Sequence, residues 1–176
     1  MDLTRDGAAA SNLAERVTFL AGDILAPPAD VAAGAFDHVM ANPPYMRAGS
    51  GNPPAHAGRA MATVEGAARL TDWLEFCAGA LKPGGSLTMV HRADRQGELL
   101  EGMAGLVGDI NVFPLLPTAG TPPKRILVQG TRGAAAGHRV SPGMVLHEAG
   151  RKYTAPAETV LRDAAPLLLW DGHDQT

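Results

Sequence analysis

Two prolines in a row fix where an apolar run must stop. Phe36-Asp37-His38-Val39-Met40-Ala41 has the composition of a buried strand, and it runs straight into Asn42-Pro43-Pro44-Tyr45. A proline cannot donate to a ladder, and it restricts the residue before it to extended backbone. The strand therefore ends at Ala41, and the turn after it is rigid before any ligand arrives. That rigidity leaves the Asn42 side-chain oxygen and the Pro43 carbonyl as fixed acceptors, which can hold the two N–H groups of a planar amine. Held so, the nitrogen turns its lone pair out of conjugation toward an electrophile. This is positioning and preorganised electrostatics, with no strong base. Tyr45 follows where its ring can stack on a planar base or amide. An Asn-Pro turn is also common in ordinary loops. Asn52-Pro53-Pro54-Ala55 is nearly the same string, but it follows no strand and lacks the aromatic, so it reads as a plain turn.

The rest of the chain alternates around that strand. Met1 to Arg16 reads as a short helix, and Val17 to Ala21 as a buried strand ending at Gly22-Asp23. Met46 to Ala60 is Gly/Pro-rich loop. Ala62 to Leu81 carries Val64, Leu70, Trp73, Leu74, Cys77 and Leu81 at helical spacing, with Trp73 on the core side. Lys82-Pro83-Gly84-Gly85 stops it, with Lys82 at the negative helix end. Ser86 to His91 predicts a strand, Arg95 to Leu106 a helix, and Asp109 to Leu116 and Lys124 to Thr131 a strand pair joined by a Pro/Gly-rich hairpin connection. Val145 to His147 reads as a minor strand and Pro156 to Leu169 as a last helix. Such alternation predicts an α/β fold with a mostly parallel sheet and a C-terminal antiparallel member. Ligands in such sheets bind at the carboxyl ends of strands, where Asp23 and Asn42 both sit.

Composition removes whole classes. Hydrophobic residues at 45% and charged residues at 19% give a globular chain long enough for one core, residues 1–176. Net charge of −3 confines any nucleic-acid surface to a local patch. The single Cys77 forms no internal disulfide and reads as a buried thiol, which suits a reducing, cytoplasmic setting. No apolar run reaches membrane-span length. His38 and His56 have no partners at metal-ligand spacing, so no metal is expected. Arg47, Arg92, Lys124 and Arg125, with Arg151-Lys152, flank predicted strand ends; they read either as phosphate contacts or as ordinary solvated charge.

Phe36 to Tyr45 resembles the target-binding motif of the class I, Rossmann-like amino-methyltransferases. Val17 to Ile24 is similar to that family's preceding strand and cofactor loop, and Leu81 to Leu87 to the turn before its next strand. Pro123 to Gln129, with Leu146-His147-Glu148 through Lys152-Tyr153-Thr154, resembles the branch that methylates the exocyclic amine of an adenine beside the anticodon of a valine tRNA. The resemblance implies an S-adenosylmethionine-dependent enzyme in which Asn42, Pro43, Pro44 and Tyr45 do the chemistry. Asp23 and the Ile24 N–H, with Asn42, would then hold the cofactor, and tRNA would be the partner. An Asp at that place is equally a helix cap or a loop acid. The family opens with a Gly-rich turn and a strand ending in an acid, but no such string precedes Asp23. The resemblance therefore implies an incomplete domain without the first two core strands. Weak cofactor binding and open sheet edges prone to self-association follow from that. The same turn serves release-factor glutamine-amide methyltransferases, and an inactive RNA-binding remnant is the reading from another class.

Overall fold

A computed structural model describes residues 2–31, 33–45, 66–149 and 152–169. The expected loop at 46–60, the second Asn-Pro-Pro turn, Arg47, His56, Arg151 and the first residues of the expected 62–81 helix lie outside these.

Helix α1 (Asp2–Ala10) and a single 3-10 turn (Ala14–Arg16) open the chain. Strand β1 (Phe36–Ala41) is followed by α2 (Leu70–Ala80), β2 (Leu81–Arg92), α3 (Gln96–Met103), β3 (Gly108–Leu116), β4 (Arg125–Thr131), β5 (His138–Val140), β6 (Met144–Val145) and α4 (Ala155–Arg162). The sheet order is β1-β2-β4-β3-β5, with β6 also paired to β3. β1, β2, β3, β5 and β6 run one way, and β4 alone is reversed, wedged between β2 and β3. This is the expected mostly parallel α/β sheet with one late antiparallel strand.

Alternation along the strands decides which face is dry. Leu87, Met89 and His91 of β2, Val112 of β3, and Ile126 and Val128 of β4 are all buried. The apolar ones meet Leu74 and Cys77 of α2 and Leu99 and Met103 of α3, so two helices cover one face of the sheet. On the other face Ser86 bonds His38, and Gln129 bonds Thr88 at 2.8 Å. Leu167 to Leu169 run beside Met40, Leu127 and Thr88 there.

Several boundaries differ from expectation. Val17 to Ala21 is not a strand. β1 pairs only with β2 among the described residues, so that run has no ladder to join, and Val17 and Leu20 stay 39% and 46% exposed. In its described part, α2 starts at Leu70, where the Asp72 carboxylate takes the Arg69 N–H at 2.7 Å. The helix passes straight into β2, and the Pro-Gly-Gly segment, expected to be a separate turn, bulges out of the ladder between Phe36↔Leu81 and His38↔Ser86. Lys82 pairs with Asp37 rather than capping the helix. α3 ends at Met103, before Gly105 at positive φ. α4 stops at Arg162, well short of Leu169.

Candidate functional site

The turn after β1 is anchored from below. Pro43 is fully buried, Pro44 and Tyr45 are half-buried, and Asn42 is exposed. Arg95, from the 3-10 turn Ala93–Arg95 that ends β2, donates from Nη1 to the Tyr45 carbonyl at 3.2 Å. That guanidinium is 8% exposed and is held in turn by Glu98, through Nε at 3.0 Å and through a second, Nη2 contact. A buried charge paired and hydrogen-bonded in this way is a rigid peg rather than a mobile arm. Sequence reasoning missed Arg95. Glu98 three residues on was its one visible signal, and nothing local pointed to a contact fifty positions upstream.

The reversed strand brings cations to the same rim. Because β4 runs against β2, its first residues lie beside the carboxyl ends of its neighbours, and Arg125 is the cross-strand partner of Arg92. Like charges directly opposite repel. Both are compensated. Arg92 is tied to Asp94, which holds that carboxyl below its ordinary range and the guanidinium above its own. Arg125 lies over the Tyr45 ring, 4.9 Å from its centroid, a cation–π contact. The Lys124 carbonyl accepts from Ala93 N–H at 3.1 Å, and its side chain is exposed beside them. Of the residues named from sequence, Asn42, Tyr45, Arg92, Lys124 and Arg125 thus share one rim. Arg47 lies outside the described residues.

Asp23 and Ile24 occupy a different place. With Leu20, Gly22, Pro28, Val31 and Phe76 of α2 they line a cleft of about 150 Å³, and Asn42 is not among its walls. Gly22 has no alternative there, since a Cβ would come within 2.5 Å of the Pro28 ring. One Asp23 oxygen accepts the Leu25 N–H at 3.0 Å, the loop-acid behaviour, while the other can accept from an amino group. An apolar slot with one carboxylate fits a flat heterocycle. Its volume is below the roughly 300 Å³ of a site for a whole drug-sized ligand, so the part of S-adenosylmethionine these residues fit is its adenine end. Among the described residues no group of three His, Cys, Asp or Glu could hold a metal ion, and no helix is long and apolar enough to cross a membrane.

The sequence matches no protein-family model and no curated protein. Solved structures do match. A predicted O-methyltransferase from Agrobacterium tumefaciens superposes with a TM-score of 0.71, covering 90% of this chain and 69% of that one at 18% identity. An O-methyltransferase family protein from Burkholderia thailandensis covers 76% of this chain and 41% of its own, at 19% identity and a TM-score of 0.47. The sheet order, the reversed strand and the first of these likenesses together give the fold: an α/β, Rossmann-like sheet of the kind found in that predicted O-methyltransferase.

Proposed function

We propose that this chain is a methyltransferase that moves the methyl group of S-adenosylmethionine to the exocyclic amine of an adenine in tRNA. The observation that carries the reading is the Asn42–Tyr45 turn, pegged by Arg95 at the carboxyl rim of a methyltransferase-type sheet with three cations beside it. The Asn42 side-chain oxygen and the Pro43 carbonyl accept the two N–H groups of the target amine and aim its lone pair outward. Tyr45 stacks on the adenine ring, and Arg92, Lys124 and Arg125 hold phosphates on either side of it. Asp23 and the Ile24 N–H hold the adenine of the donor, which when bound supplies an electrophilic methyl group. The preference for RNA over a glutamine side chain rests on the cations, which an uncharged amide does not call for.

The test offers tritiated donor at millimolar concentration to tRNA, a release-factor peptide and a catechol. Label is expected in tRNA, recovered after nuclease digestion as N6-methyladenosine. Asn42→Ala is expected to lower the initial rate by about 100-fold or more, the usual cost of removing one preorganised catalytic dipole. Label in the peptide or the catechol instead, or full activity in the alanine variant, refutes the reading.

A further inference from the structure

The chain has only two tyrosines, and both end up at the same sheet rim under a cation. Tyr45 lies under Arg125. Tyr153 stacks on His147 with ring centroids 5.1 Å apart and planes 23° apart, and Lys152 Nζ stands 5.5 Å from the Tyr153 centroid. We infer that His147, Lys152 and Tyr153 form a second nucleotide platform, which stacks an unpaired base flanking the adenine held at Tyr45. The inference takes the RNA substrate from the proposed function and adds a site to it.

Topology puts the platform on this rim. β6 runs parallel to β3, with Leu115↔Met144 and Leu116↔Val145, so the residues after Val145 emerge at the carboxyl end of β3. That end lies beside Arg125, the partner of Leu115 on β4. Tyr45 follows β1 but lies under Arg125 of β4, so the two rings stand between two and four strand spacings apart, about 10–20 Å. One base cannot reach both tyrosines, but bases a few nucleotides apart on a single strand can.

The two ends of this loop are held by bonds other than the ring stack. Leu146 N–H bonds the Leu116 carbonyl at 2.8 Å, and His147 N–H bonds that of Pro117 at 2.9 Å. Thr154 returns its N–H to Leu146 at 2.8 Å and its hydroxyl to the Val145 carbonyl at 2.7 Å, and its Oγ1 also caps α4. Leu146, His147 and Thr154 are therefore anchored independently of the stack, and both rings remain half-exposed at the rim. His147 Nδ1 donates to the Lys152 carbonyl, which sets the ring's orientation. Fixed aromatic surface beside an ammonium is what sequence-tolerant single-strand binding uses: a π-face for the base and a cation for the backbone.

The experiment measures anisotropy of labelled oligouridine, which carries no target adenine, on the full chain across a salt series. Tyr153→Leu keeps the apolar bulk and removes the ring face. It is expected to weaken oligouridine about tenfold or more, while Tyr153→Phe binds like the parent. Lys152→Gln is expected to reduce the slope of log K against log salt by about one. Unchanged unfolding midpoints show that the variants are folded. Oligouridine binding unchanged in Tyr153→Leu overturns the platform, and so does a parent chain that binds no oligouridine. The two readings fail separately: a chain that labels no tRNA yet loses oligouridine with Tyr153→Leu keeps the platform and loses the methyltransferase assignment.

Discussion

Arg132 ties the end of α2 to the end of β4. It sits just past β4, and its Nη1 reaches the carbonyls of Ala78 at 3.1 Å and Gly79 at 3.3 Å, and also that of Leu81. The first two lie in the last turn of α2 and the third opens β2; Ala78 also takes the Leu81 N–H, so the guanidinium supplements that cap. The Gly79 and Ala80 carbonyls are also met by Gly34 and Ala35 N–H at 2.9 and 3.0 Å, in the segment that leads into β1. One nitrogen carries two hydrogens, so three acceptors amount to two good bonds at most. A hydrogen bond from a charged donor contributes about 1.5–3 kcal/mol, and a cation at a helix carboxyl end about 0.3–1 kcal/mol. Partial exposure reduces both. Arg132→Met, which keeps the stem, is expected to cost about 2–4 kcal/mol, a fall in melting temperature of about 10 °C for a chain of this size. Urea unfolding followed by circular dichroism reads this as a lower midpoint at constant slope. Arg132→Lys should recover less than half, because an ammonium cannot span acceptors as a planar fork does. A loss under about 0.5 kcal/mol for the methionine variant would refute the capping argument.

Burial pushes the Cys77 thiol up to about 11 from an ordinary value of 9.0. The unfolded chain therefore releases this proton first, and stability is lost as pH rises from 9 to 11, by about 2–3 kcal/mol in all; Cys77→Ala should remove that share of the alkaline slope in urea titrations run at each pH. Gly143 has a φ of 79°, and a Cβ there would lie 2.2 Å from the Pro114 carbonyl oxygen. Gly143→Ala is expected to cost more than the roughly 1–2 kcal/mol of left-handed strain alone and to detach β6, visible as faster amide exchange at Leu146 and His147 while the β2 amides stay protected.

What was legible in the sequence followed from patterns that are local. The end of β1 was fixed by its prolines, the core faces of α2 and α3 by apolar spacing, and the hairpin of β3 and β4 by a turn-rich connection. Val17 to Ala21 was misread because its composition is strand-like, whereas a strand exists only if a neighbour supplies its hydrogen bonds. The 3-residue β5 was missed since Gly130 to Gly137 reads as loop, and His138-Arg139-Val140 becomes strand only by pairing with Ile110 to Val112. In the site, the turn and the later basic residues were legible as separate features. Their proximity was not, because it depends on strand order, and neither was the role of Arg95.

Strand order is also what makes the rim chemically coherent. Had β4 run parallel to β2, Lys124 and Arg125 would stand at the amino edge, a strand's length of about 20 Å from Tyr45. The reversal costs no long crossover, since β3 and β4 join through the short segment from Pro117 to Lys124. It places the start of β4 against the end of β2, where Arg92 must face Arg125. That repulsion is tolerable only with partners, and the partners found are Asp94 and the Tyr45 ring. Tyr45 therefore sits under a charge that has few other places to go. Under the proposed function, a base arriving at this ring would share it with the guanidinium or push it toward the phosphate of its own nucleotide. The second course would replace a cation–π contact with a stronger charge-assisted one, and that exchange is the physical ground for proposing an anionic, aromatic ligand over a neutral amide.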